Sequence, residues 1–157
     1  MKNLTKYLFV ISFLALTIYG CKKGSNPEPV PVQDTTKPTI SILKPTAGQS
    51  FVAGNTITFQ ATFSDNVNIK SYEIAISKVV TGGLILKIVP LSVPLSYTKY
   101  STSFPSGIKQ QEINLSDIVI PVNTATTITT PGKYDLKVTC VDGSNNSSEA
   151  ILEININ

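Results

Sequence analysis

From residue 38 onward, apolar and polar positions alternate with a period of two. Ile40 and Ile42 alternate with Thr39 and Ser41, and Ile57, Phe59, Ala61 and Phe63 with Thr58, Gln60 and Thr62. The same spacing returns at Tyr72, Ile74 and Ile76, at Tyr134, Leu136, Val138 and Cys140, and at Ala150, Leu152, Ile154 and Ile156. Successive side chains of a strand point to opposite faces, so each run predicts a strand with one face on a core and the other in water. Residues 84–89 and 113–120 supply two further apolar runs, which makes about seven strands. Gly, Pro, Asn and Asp stand between the runs and mark turns. The expectation is an all-β antiparallel sandwich over residues 38–157.

The first twenty residues follow a different pattern. Lys2 and Lys6 precede a mostly apolar run from Leu8 to Ile18, too short to cross a bilayer as a helix but suited to the centre of an export signal. The run ends at Ile18-Tyr19-Gly20-Cys21, which resembles the lipobox of bacterial lipoproteins. That resemblance implies removal of residues 1–20 and lipidation of Cys21, which would hold the protein at a membrane by several acyl chains. Residues 21–37 alternate prolines with polar residues (Pro27, Pro29, Pro31) and read as an extended linker. Lys22, directly after the anchor, resembles lipoproteins forwarded to the outer membrane of Gram-negative cells, where the domain would face the periplasm or the outside.

Composition narrows the chemistry. The chain has no His, no Trp and no Arg, and two Cys among 157 residues. Without imidazole there is no Ser-His-Asp or Cys-His arrangement, so the expectation is a non-enzymatic binding or adhesion module, with a structural or assembly accessory of a cell-envelope complex as the alternative. Thirteen lysines oppose ten carboxylates, two of the lysines belong to the signal, and the rest are scattered, which argues against nucleic acid as a partner.

The order of turn signals resembles a bacterial immunoglobulin-like domain. Asp34-Thr35-Thr36-Lys37-Pro38 leads into the first strand, Pro45 and Gly48 mark a turn, Gly54-Asn55-Thr56 opens a strand and Asp65-Asn66 closes it. Pro131-Gly132-Lys133-Tyr134 and Asp142-Gly143-Ser144-Asn145 bracket the penultimate strand in the same way. More particularly, the chain is similar to small single-domain lipoproteins of gut-type Gram-negative bacteria. Members often carry a His-rich stretch, and with no histidine here no metal role carries over by that route. Tyr134, two residues after Gly132, resembles the tyrosine corner, a structural pin. Asp34-Thr35-Thr36 resembles a short O-glycosylation site, with Thr35 the acceptor.

Two groups of residues are candidates for contact. Tyr97, Tyr100 and Phe104 lie in a long Pro- and Gly-punctuated stretch between Lys78 and Gln111, where exposed rings could meet a glycan, a peptide or an envelope protein. Asp34, Asp65, Asn66, Asp142 and Asn145 should gather at one end of a sandwich of this order, where oxygen-bearing loops could take calcium; the same residues also suit Asx turns. No other cofactor is expected. Cys140 falls on an inward parity and reads as a buried thiol without an intrachain partner.

Overall fold

The computed structural model describes residues 32–80 and 90–157. The signal segment, Cys21 and the strand expected at 84–89 lie outside the described residues.

The alternating runs become strands, and shorter ones join them: β1 (Thr39–Lys44), β2 (Ser50–Phe51), β3 (Thr56–Ser64), β4 (Ile69–Lys78), β5 (Leu91–Val93), β6 (Tyr97–Ser101), β7 (Gln110–Val119), β8 (Thr127–Thr129), β9 (Gly132–Asp142) and β10 (Ser147–Ile156). The described residues thus hold ten strands rather than about seven. The additions are short pieces, β2, β5, β6 and β8, whose pairing comes from neighbours and not from a local pattern.

Two sheets carry the fold, with strand orders β1-β3-β7 and β2-β10-β9-β4-β6, and β5 pairs β8 in a small third sheet. The chain begins in the first sheet, where β1 runs antiparallel to β3, and crosses at Pro45 to Gln49 into the second, where β2 lies parallel to the end of β10. At the crossing Gly48 adopts a φ of 73° and its N–H donates to the Glu153 carbonyl at 2.8 Å, a backbone shape that favours glycine. This strand order, with β4, β9 and β10 central and the first strand divided between sheets, is that of an immunoglobulin-like β-sandwich.

The core fills the space between the sheets. Ile57, Phe59, Ala61 and Phe63 project from β3, and Ile74, Ile76, Leu136, Val138 and Ile154 face them from the larger sheet, all buried. Alternate positions on β9 and β10 carry Lys133, Lys137, Glu149 and Glu153, which pair across the outer face at 2.8 Å (Lys133–Glu153) and 2.5 Å (Lys137–Glu149). These pairs are well exposed and add solubility rather than stability.

One extra residue in β7 sets the seam between the sheets. Ile57 lies opposite Ile118 and Phe59 opposite Leu115, so Ser116 and Asp117 share the span of a single partner. The bulge turns Asp117 toward β6, where it accepts from Lys99 Nζ at 2.7 Å and from the Tyr97 hydroxyl at 3.3 Å.

Candidate functional site

Strand β6 divides the three candidate rings. Tyr97 and Tyr100 are three residues apart, so they leave a strand on opposite faces. Tyr97 packs against the core, and burial followed by the neighbouring Asp117 carboxylate raises its phenol above the usual range. Phe104 also packs on the core, its ring 5.8 Å from that of Tyr72, which lies 5.4 Å from Phe63. Tyr100 alone is open, 62% exposed and opposite Glu73. The three do not form one contact surface, because the period of two in the paired strand β6 parts Tyr97 from Tyr100, and Phe104, just after the strand, packs on the core.

The acidic residues behave differently. Asp34 precedes β1, Asp65 follows β3 and Asp142 ends β9, and antiparallel pairing brings these three points to one pole. One ligand-capable carboxylate oxygen from each lies within 4.8 Å of the others. Local turns hold them. Asp34 Oδ1 accepts from the Thr36 N–H at 3.0 Å and from Asn66 Nδ2 at 3.1 Å, contacts that in this order hold the carboxyl below its ordinary range. Asp65 Oδ1 accepts from the N–H groups of Val67 and Asn68 at 2.8 and 2.9 Å, an Asx turn. Asp142, fully buried, accepts from the Asn146 N–H at 2.7 Å on Oδ1 and from Asn146 Nδ2 at 2.7 Å on Oδ2.

Asn146, unremarked in the sequence, is the centre of this pole. Its Nδ2 also lies 3.1 Å from the Asp34 carbonyl and 3.2 Å from the Thr36 carbonyl, so two N–H hydrogens serve three acceptors. Residues 34–37, read as linker, are therefore bonded to the domain. The neighbouring candidate Asn145 turns away: its φ is 69°, and its Oδ1 accepts from Lys70 Nζ at 2.6 Å. The left-handed conformation at Asn145 directs one amide to solvent and the next inward. Thr35 is exposed.

Behind the pole sits Cys140, a free and fully buried thiol. Burial first, then the Asp65 and Asp142 carboxylates, push its pKa up to about 11 from 9.0. At any pH below 9 this leaves roughly a hundredfold less thiolate than an ordinary cysteine would hold. Native protein at pH 8 is expected to alkylate at Cys140 at least about a hundredfold more slowly than protein in denaturant. Comparable rates would show that the thiol is reached by local opening.

Fold and site together define an immunoglobulin-like sandwich with an acidic pole where the chain enters it. The chain belongs to the family described as a domain of unknown function, DUF4625, whose profile matches residues 20–157. No curated protein matches the sequence significantly. Among solved structures, the chain is similar to the fibronectin(III)-like modules of Clostridium thermocellum CbhA, at 18% identity and a TM-score of 0.40, covering 75% of this chain and 94% of that one. A β-glucosidase from Listeria innocua matches at 10% identity and a TM-score of 0.42 over 84% of this chain and 20% of its own length. The sporulation control protein Spo0M from Bacillus subtilis matches at 10% identity and a TM-score of 0.38, over 76% of this chain and 48% of its own length. None of these likenesses bears on activity.

Proposed function

We propose that the protein is a non-enzymatic binding module, lipidated at Cys21 and tethered to the outer membrane, which meets a peptide or envelope protein with the pole opposite Asp34. The observation that supports this reading is the distribution of exposed apolar side chains. Leu43 lies at the far end of β1, Val52 just after β2, and Val119 and Val122 at the far end of β7, all exposed. Leu91 and Val93 of β5 join them, because β5 and β8 are tied to the start of β9: the Leu95 N–H donates to the Tyr134 hydroxyl at 3.3 Å, and that hydroxyl donates to the Thr130 carbonyl at 2.6 Å. Apolar side chains gathered in one region mark contact surfaces more often than scattered ones do. Their aliphatic character favours a protein or peptide over a glycan, which is commonly held on aromatic rings.

Two measurements test the reading. Cys21→Ser is expected to move the protein from the membrane fraction to the soluble fraction; protein still fully membrane-bound would remove the anchor. A photo-crosslinking residue placed in cells at Val52 or Val122 is expected to give a discrete adduct, whereas one at Ile151, exposed on the outer face of the larger sheet, gives none. Adducts from Ile151 alone, or none from either pole position, would refute the binding surface.

A further inference from the structure

Turn geometry accounts for only half of the Asp34 and Asp65 carboxylates at the acidic pole. The Oδ1 atoms of Asp34 and Asp65 each accept two hydrogen bonds and complete the local turns. The Oδ2 atoms of the same residues are shut off from solvent and have no hydrogen-bond partner among the described residues. Buried polar atoms are nearly always paired, and a buried carboxylate oxygen without a donor is costly. Here two such oxygens come from carboxylates that meet, with the fully buried Asp142, within 4.8 Å. Nor does a lysine of the described residues neutralise them. The ion pairs of the described residues are Lys99–Asp117, Lys133–Glu153 and Lys137–Glu149, and Lys70, beside the pole, places its ammonium on Asn145. Three converging carboxylates and two oxygens without partners, with no lysine of the described residues on them, suit a metal ion.

The donors select the ion. All are oxygens, with no imidazole in the chain, so a soft or borderline metal is disfavoured. They come from three separate segments whose spacing is set by turns rather than by an octahedron, and the Asp34 and Thr36 carbonyls already point into the same region. Calcium accepts irregular sets of six to eight oxygens, whereas magnesium demands octahedral geometry at shorter distances and gives up water reluctantly.

We propose that Asp34, Asp65 and Asp142 form a calcium site that clamps the segment before β1 to the β3–β4 and β9–β10 loops. This stands whether or not the opposite pole binds a partner. The ion would supply the missing partner of the two Oδ2 atoms and fix the direction in which the linker leaves the sandwich.

The test uses the full chain in detergent, first stripped with chelator and then titrated with calcium or magnesium, read by calorimetry and by melting. At calcium tenfold above its dissociation constant the melting temperature should rise by about 4 °C or more. Magnesium at the same concentration should give less than half that rise. Asp65→Asn keeps the oxygen that takes both of its turn bonds and removes a charge, whereas Asp142→Asn also loses one of the two oxygens that accept from Asn146; each should weaken calcium binding at least about tenfold. In chelator Asp65→Asn should melt no lower than the wild type, because one of three crowded like charges is gone while its turn bonds remain. Asp34→Asn, outside the core, gives the same reading if Asp142→Asn folds poorly. Asp117→Asn, paired with Lys99 away from the pole, should keep the full response. Identical wild-type melting in calcium and chelator with no binding heat would overturn the site, as would Asn variants that keep the response. An equal shift with magnesium would overturn the choice of calcium.

Discussion

Tyr134→Ala is expected to cost the domain about 3–5 kcal/mol, the range for truncating a buried aromatic. That is a large share of the total stability of a domain, roughly 5–15 kcal/mol. Tyr134 is fully buried, its hydroxyl accepts from the Leu95 N–H and donates to the Thr130 carbonyl, and Lys78 Nζ stands 5.1 Å from the ring centroid. The ring thus ties the start of β9 to both strands of the small third sheet. Tyr134→Phe separates the contributions: it keeps the ring and should cost only about 1–2 kcal/mol, the value of the lost hydrogen bonds. Chemical denaturation of both variants measures the difference. Equal losses would mean that the hydroxyl, not the ring, holds the corner. Burial raises the phenol above its ordinary 10.0. A pKa raised on folding adds stability that is fully present below pH 10 and is lost as pH climbs through the raised value. Wild type should therefore lose stability in that alkaline window faster than Tyr134→Phe.

Asn146→Ala should have the second largest effect, about 2–3 kcal/mol, because it leaves the buried Asp142 Oδ2 without its donor and frees two carbonyls. The Asp34 and Thr36 carbonyls lose their contact with Nδ2, so residues 34–38 should exchange amide hydrogens faster than in wild type while the core strands stay protected. Asn145→Ala is the comparison. Its side chain holds only the exposed Lys70 ammonium, and its removal should change stability by no more than about 0.5 kcal/mol beyond the strain of a left-handed alanine. If the two variants lose equal stability, the inward amide is not the clamp described.

The strands that could be read from the chain are those buried on one face along their whole length. In β3, Ile57 to Phe63 alternate between core and surface without interruption, and β9 does the same from Tyr134 to Cys140. Strand β6 is not legible in the chain because its aromatic residues, Tyr97 and Tyr100, break the period of two, and prolines at 90, 94 and 105 surround it. It exists through its register with β4, where Tyr72 faces Ser101 and Ile76 faces Tyr97. Strand β2 is two residues long and owes its direction to β10. The aromatic candidates failed for the same reason: sequence shows that rings are near one another in the chain, but only pairing decides which face each one takes.

The sequence by itself determined the all-β class, the core face of β1, β3, β4, β9 and β10, the buried state of Cys140 and the absence of imidazole chemistry, because each follows from local alternation or from composition. The turn acids were visible too, as residues at strand ends. What only the tertiary structure decided is their distance and what remains unpaired among them. Asn146 and Asp34 stand 112 residues apart, and whether they touch depends on strand order and register across the sandwich. Two equivalent amides in sequence, Asn145 and Asn146, acquire opposite roles from one left-handed residue in a turn. Local pattern fixes which side of a strand faces the core, because that choice repeats every second residue. The meeting of strand ends is a sum over many long-range pairings, and no short stretch of the chain contains it.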